Sequence, residues 1–195
     1  MEIKVCNLTK SFGDNTVLNN FSEVFSDGLT TCIMGESGCG KTTLLKILDG
    51  TLEYESGEVT DLENIKKSVV FQNDRLIDTH TVYRNVRVIC GNNVTKPQIL
   101  TALGEVGLSN DVLYEKISNL SGGMKRRISI ICAVLYGGEV FLLDEPTKGL
   151  DDNNKKNVID YIKANTKGKT VIWVTHDKDE ANYAADKTVY MKKEQ

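Results

Sequence analysis

The sequence predicts an α/β fold built on a mainly parallel sheet and interrupted by a helical lobe. Three observations point there. Short apolar strands alternate with helices towards both ends of the chain, and a glycine-rich turn at 35–40 joins a strand to a helix. From about 74 to 130 that alternation gives way to helical periodicity. At 195 residues, 40% apolar and 26% charged, the chain can bury a sizeable core and is too apolar for a disordered segment. One domain over 1–195, with the helical lobe inserted in an α/β core, is the expected organisation.

Ile3, Val5 and Leu8 share a face of a first strand, and 16–25 continues in a strand pattern. Residues 29–34 (L-T-T-C-I-M) read as a short strand running into the glycine-rich turn. Apolar residues at helical spacing over 42–48 follow, closed by Gly50. A strand at 68–71 (S-V-V-F) delivers Gln72. The pattern is helical from 81 to 107, with Pro97 near the first turn of its second piece, where a missing N–H costs little. Ser121 precedes a helix over 122–136. Strand 140–143, helix 154–165, strand 170–174, helix 178–185 and strand 188–191 complete the alternation.

Composition excludes several functions. A formal net charge of −3 argues against a broad nucleic-acid footprint, so no nucleic-acid partner is expected. Two histidines exclude a His-rich metal cluster. The longest unbroken apolar run, 130–136, falls far short of the roughly 18 residues of a membrane span. The opening M-E-I-K-V-C-N carries no apolar leader, so the expected compartment is the cytoplasm. Cys6, Cys32, Cys39, Cys90 and Cys132 are scattered without a C-x-x-C pair. They read as free thiols in a reducing compartment and, Cys39 aside, as small buried hydrophobes.

G-E-S-G-C-G-K-T at 35–42 fits the phosphate-loop pattern G-x-x-x-x-G-K-S/T in its strand-to-helix context. Gly35, Gly38 and Gly40 let the backbone curl around Glu36, Ser37 and Cys39, so that successive N–H groups point inward at phosphate oxygens. The following helix adds its positive end. Lys41 is expected to reach the β- and γ-phosphates, Thr42 to ligate Mg²⁺ and Thr43 to donate to the α-phosphate. Strand 140–143 carries Asp144 and Glu145 at its end: Asp144 as a Mg²⁺ ligand, Glu145 as the general base that poises a water. Alone, an apolar strand ending in acids is often no more than a strand entering a loop. Beside a phosphate loop it points to nucleotide hydrolysis.

With further motifs the chain resembles the ATP-binding cassette (ABC) ATPases. L-S-G-G-M at 120–124 is similar to that family's signature, Gln72 to its Q-loop glutamine, and D-E-P-T-K-G-L-D at 144–151 to its Walker B end running into the D-loop. His176 in V-T-H-D looks like the switch histidine, and Phe12 fits the aromatic that stacks on adenine. The elements run in family order over about 3–190.

The resemblance implies an ABC-type P-loop core with a mainly parallel sheet, an antiparallel β part near the N-terminus and the inserted lobe. It implies two cassettes packed head to tail, each ATP held between one chain's phosphate loop and the other's signature. Ser121, Gly122 and Gly123 would then meet the γ-phosphate across the interface, with Asp151 on the D-loop. Gln72 would join Thr42 and Asp144 at Mg²⁺, and with His176 would sense the γ-phosphate.

Plainer readings stand beside these. Ser121 also suits a simple N-cap, and Asp177-x-x-Glu180 resembles a capping box with His176 just ahead of it. Phe12 suits a core position as well as a stacking one. His80 reads as a surface-loop residue and 125–127 (K-R-R) as a solvated helix face. Cys132 stands where an arginine is common in the family, which puts a lobe salt bridge in doubt, and Cys39 inside the phosphate loop suggests oxidation sensitivity. V-F-Q-N-D-R-L at 70–76, T-V-x-x-N-V at 81–86 and L-S-G-G-M-K at 120–125 resemble the nitrate/sulfonate/taurine-type importer ATPases.

The expected function is therefore that of an ATP-hydrolysing subunit, cytoplasmic and peripheral on the inner face of the cell membrane. Its partners would be a second cassette, identical or paralogous, and a transmembrane permease, with or without a solute-binding protein. The alternatives are a soluble ABC ATPase outside transport and a P-loop nucleotide kinase.

Overall fold

In the computed structural model, which describes residues 1–60 and 62–193, the chain forms two compact units. The first comprises Met1–Val69, Glu139–Glu145 and Lys167–Gln195; the second comprises Val70–Gly138 and Pro146–Thr166.

The first unit holds two sheets. Strands β1 (Ile3–Phe12), β2 (Asn15–Phe25) and β4 (Ser56–Val59) form an antiparallel sheet of order β2-β1-β4. β3 (Thr30–Gly35), β5 (Lys67–Val70), β6 (Val140–Asp144), β7 (Thr170–Val174) and β8 (Lys187–Met191) form a second sheet of order β5-β6-β7-β3-β8. β3 runs parallel to β7 and β8, and β6 parallel to β7. Both the parallel sheet and the antiparallel β part expected above are present.

Every residue of β6 and β7 is buried, which explains why they read as continuous apolar runs rather than alternating ones. Their register pairs Asp144 of β6 and Ile33 of β3 with Val174 on opposite edges of β7, so β6 and β7 end level and β3 runs two residues further, to Gly35. The residues that follow these ends include the glycine-rich turn, Glu145 and His176. Helix α1 (Lys41–Asp49) starts directly after the glycine-rich turn and buries Leu44, Leu45, Ile47 and Leu48 against Ile33, Leu142 and Ile172 of one sheet and Val5, Leu8 and Phe25 of the other. It stops at Gly50, whose left-handed φ of 82° lets its N–H reach Ile47 O.

The second unit is helical: α2 (Val82–Cys90), α3 (Lys96–Glu105), α4 (Gly122–Tyr136) and α5 (Asp152–Asn165). α4 packs on α2, α3 and α5 through Ile128, Ile130, Ile131, Val86, Ile99, Leu103, Val158 and Ile162, all buried. The two helical pieces expected over 81–107 are separated at Gly91 (φ 72°) by a 3-10 turn, Gly91–Asn93. α3 restarts with Pro97 in its first turn and a Thr95–Gln98 capping box. The chain is back in the first unit from Lys167, where a short helix α6 (Lys178–Ala184) links β7 to β8.

Candidate functional site

Residues 35–40 join β3 to α1 as a tight loop closed by Cys39 N–H on Glu36 O (3.3 Å). A Cβ on Gly35 would strike the Met191 carbonyl, and one on Gly40 (φ 99°) would stand 2.7 Å from Leu18 Cδ2, so neither position admits a side chain. Gly38 (φ 83°) meets nothing within 4 Å, which leaves the outer wall of the loop open. Glu36 and Ser37 are exposed, whereas Cys39 is buried. Lys41 is buried and its Nζ donates to Gly35 O and Glu36 O, both at 2.8 Å, 3.6 Å from Cys39 Sγ. An ammonium thus sits at the centre of a loop that opens onto the N-terminus of α1, an arrangement that suits an anion.

Thr42 Oγ1 donates to Asp144 Oδ2 at 2.8 Å, linking the first turn of α1 to the end of β6. A hydroxyl and a carboxylate at this spacing form the hard-oxygen donor pair that suits a magnesium ion beside phosphates. Thr43 follows, half-buried.

Glu145 leaves β6 with φ 46°, a left-handed conformation costly for a residue with a Cβ. Its N–H is held by Val174 O (2.9 Å), and its Oε1 lies 3.0 Å from His176 Nδ1, just beyond β7. The His176 side chain is 66% exposed, free to face an incoming ligand. Phe12, at the end of β1, is 51% exposed with Lys10 Nζ 5.3 Å from its ring, and so is no core residue.

Within the second unit, Gln72, Asp74, Gly122, Gly123, Arg126 and Lys148 line a cavity of about 250 Å³. Ser121, exposed, caps α4 through Met124 N–H (3.3 Å). Asp151 caps α5: Asn154 N–H (3.0 Å) is the main cause that holds its carboxyl below the usual range, aided by the Asn154 amide and Arg127.

The K-R-R run is not a solvated face. Arg126 is 4% exposed and donates to Phe71 O (2.5 Å), Pro146 O (3.1 Å) and Asp74 Oδ1 (2.9 Å). Arg127, also buried, reaches Val106 O, Gly107 O and Asn154 Oδ1. Lys125 alone of the three is not buried; it is half-buried and paired with Asp78. The lobe therefore has a buried salt bridge even with Cys132 in its helix, because Arg126 supplies it from a turn and a half earlier. His80 is half-buried, not a plain surface residue, and its Nδ1 is enclosed without a hydrogen-bond partner. All five cysteines are free, and Cys32 and Cys132 are buried. Asn85, quoted above only as part of a pattern, is fully buried and pins Ile77 through both its N–H and its carbonyl.

A family model described as "ABC transporter" matches residues 18–148, two thirds of the chain. The chain belongs to that family. It is 36% identical, over 98% of its own length, to the spermidine/putrescine import ATP-binding protein PotA of Pasteurella multocida, and 31% identical, over 94%, to the mouse glucosylceramide transporter ABCA12. It spans 56% of the length of the first of these proteins and 8% of the second. Among solved structures it is similar to the dimeric cassette of MJ0796, a bacterial ABC transporter, with a TM-score of 0.86 and 28% identity over 97% of this chain and 94% of that one. A second structure of MJ0796, a dimeric post-hydrolysis state bound to ADP and phosphate, matches with a TM-score of 0.85, 27% identity and 99% of this chain against 97% of that one.

Proposed function

We propose that the chain binds ATP with Mg²⁺ and hydrolyses it to ADP and phosphate, energising solute transport through a separate membrane permease. One observation carries the reading: the ends of β3, β6 and β7 bring Lys41, the Thr42–Asp144 pair and the Glu145–His176 pair to one edge of a single sheet. Lys41 and the N–H groups of the loop receive the phosphates, with Thr43 on the α-phosphate. Thr42 and Asp144 would hold Mg²⁺, with Gln72 as the third proposed ligand. Bound there, the ion would neutralise phosphate charge. Glu145 takes the proton of the attacking water, and His176 orients Glu145 and the γ-phosphate. Phe12, exposed at the end of β1, offers its ring to the adenine.

Ser121, Gly122, Gly123 and Asp151 act on the ATP of a second cassette, identical or paralogous, packed head to tail. Support comes from the dimeric state of the similar MJ0796 cassette. The helical segment at about 74–130 is the lobe that receives a cytoplasmic element of the permease, with or without a solute-binding protein outside. The place proposed for the chain is peripheral, on the inner face of the cell membrane; no helix among the described residues is long and apolar enough to cross a membrane. Several relatives are polyamine-import ATP-binding proteins, so the nitrate/sulfonate/taurine resemblance does not select the solute.

The test is phosphate release from Mg·ATP by the purified chain with no acceptor present. Release that Lys41→Ala abolishes supports hydrolysis. Phosphate transfer only when a small-molecule acceptor is added would favour a nucleotide kinase instead.

A further inference from the structure

The loop that carries His176 is tied to a buried carboxylate. Glu180, in the first turn of α6, is 6% exposed. Its Oε1 accepts from Trp173 Nε1 at 2.7 Å and its Oε2 from Thr175 Oγ1 at 3.0 Å. Thr175 Oγ1 in turn accepts the Asp177 N–H at 3.1 Å, and Thr175 N–H donates to Ile33 O at 3.2 Å. Trp173 and Thr175 are themselves buried. The residues on both sides of His176 are therefore held by one hydrogen-bonded chain that ends on Glu180, while the imidazole itself stays exposed.

The capping-box reading of Asp177 and Glu180 explains only half of this. Asp177 Oδ1 does cap α6, accepting from Asp179 N–H (3.0 Å) and Glu180 N–H (3.2 Å). In a capping box the Glu180 carboxylate would return to the Asp177 N–H. Here that N–H goes to Thr175 instead, and the carboxylate turns inward. Burying a carboxylate is costly unless its oxygens are satisfied, and both oxygens of this one accept hydrogen bonds. Trp173 and Thr175, which supply them, belong to the end of β7 and the turn beyond it.

We infer that Glu180 is a positioning residue for His176: through Thr175 it fixes the backbone from which the imidazole reaches Glu145. The inference rests on the role given to His176 above. Its hydrogen bonds to Trp173 and Thr175 place its action on the backbone that leads into His176. Thr175→Val is the cleanest probe, because it keeps the buried volume and removes the hydroxyl that joins Glu180 to Asp177. Glu180→Gln keeps both contacts, accepting from Trp173 and donating to Thr175 with that one bond reversed, and serves as the conservative rescue.

Two readouts decide. Thr175→Val lowers kcat at least about fivefold with ATP affinity changed less than about twofold; on a His176→Ala background it lowers kcat no further, and Glu180→Gln stays within about threefold of wild type. In NMR spectra of the chain, Thr175→Val moves the His176 imidazole resonances and leaves those of His80, the other histidine, in place. An unchanged kcat in Thr175→Val, an equal loss with and without His176, or unmoved His176 resonances would overturn the inference. If His176→Ala itself hydrolyses at the wild-type rate, the catalytic role of His176 fails. The NMR result then still decides whether Glu180 sets the position of the ring.

Discussion

His176 Nδ1 lies 3.0 Å from Glu145 Oε1, joining the turns that follow two neighbouring parallel strands. Glu145 reaches that contact from a left-handed backbone at φ 46°. Such strain persists where surrounding structure enforces it, here the Glu145 N–H bond to Val174 O. The pair is the geometric centre of the proposed chemistry.

Glu145→Gln keeps the size of the side chain and its contact with His176 but removes the proton acceptor. Turnover is expected to fall by at least about 10²-fold with nucleotide binding intact. Nucleotide-bound two-copy species are expected to accumulate on a sizing column run with ATP. Hydrolysis at the wild-type rate would remove Glu145 as the base.

The Thr42–Asp144 pair predicts a divalent-ion requirement. Chelation with EDTA is expected to stop phosphate release, and added Mg²⁺ to restore it. Asp144→Asn is expected to raise the Mg²⁺ needed for half-maximal rate by about tenfold, since a neutral amide is a weaker hard-oxygen ligand. A Mg²⁺ titration checks this directly.

Arg126 joins two segments far from it in the chain, donating to Phe71 O and Asp74 in one and to Pro146 O in the other. Arg126→Met leaves a partly buried carboxylate and two carbonyls without this donor. The expected loss is about 2–4 kcal/mol, read as a lower urea midpoint of unfolding. A midpoint unchanged from wild type would refute it.

This arginine also marks where the sequence stopped being informative. Local pattern reveals a basic run early in a helix, but not that carbonyls 55 positions before and 20 positions after Arg126 converge on its guanidinium. The phosphate loop was legible because its chemistry needs glycines at fixed spacing, and because Gly35 and Gly40 admit no side chain for local steric reasons. β6 and β7 were legible from full burial. β4 was not: three of its four residues are exposed, so no alternation marks it, and only pairing with β1 makes it a strand. The inward turn of Glu180 was hidden for the same reason as Arg126, since Asp177-x-x-Glu180 fits a local cap equally well.

Burial raises the thiol of Cys32 from 9.0 to about 12, with Glu180 and Asp186 adding to the effect. The folded chain therefore holds this proton after the unfolded chain has lost it. Its contribution to stability is complete below pH 9 and declines between pH 9 and about 12. Cys32→Ala is expected to lose less stability than wild type over that alkaline range, as followed by urea unfolding at several pH values. In native chain, iodoacetamide at neutral pH is expected to label exposed Cys6 and to spare Cys32 and Cys132.

The most direct measurement is the rate of phosphate release from Mg·ATP per chain as protein concentration rises. A site completed by the Ser121–Gly123 signature of a second copy predicts a rate per chain that climbs with concentration and then levels off. It also predicts that mixing in Glu145→Gln chains, which pair but do not turn over, alters the rate per wild-type chain. A rate per chain that is constant over the whole range and indifferent to added Glu145→Gln would mean that one chain holds a complete site, and would contradict the head-to-tail reading.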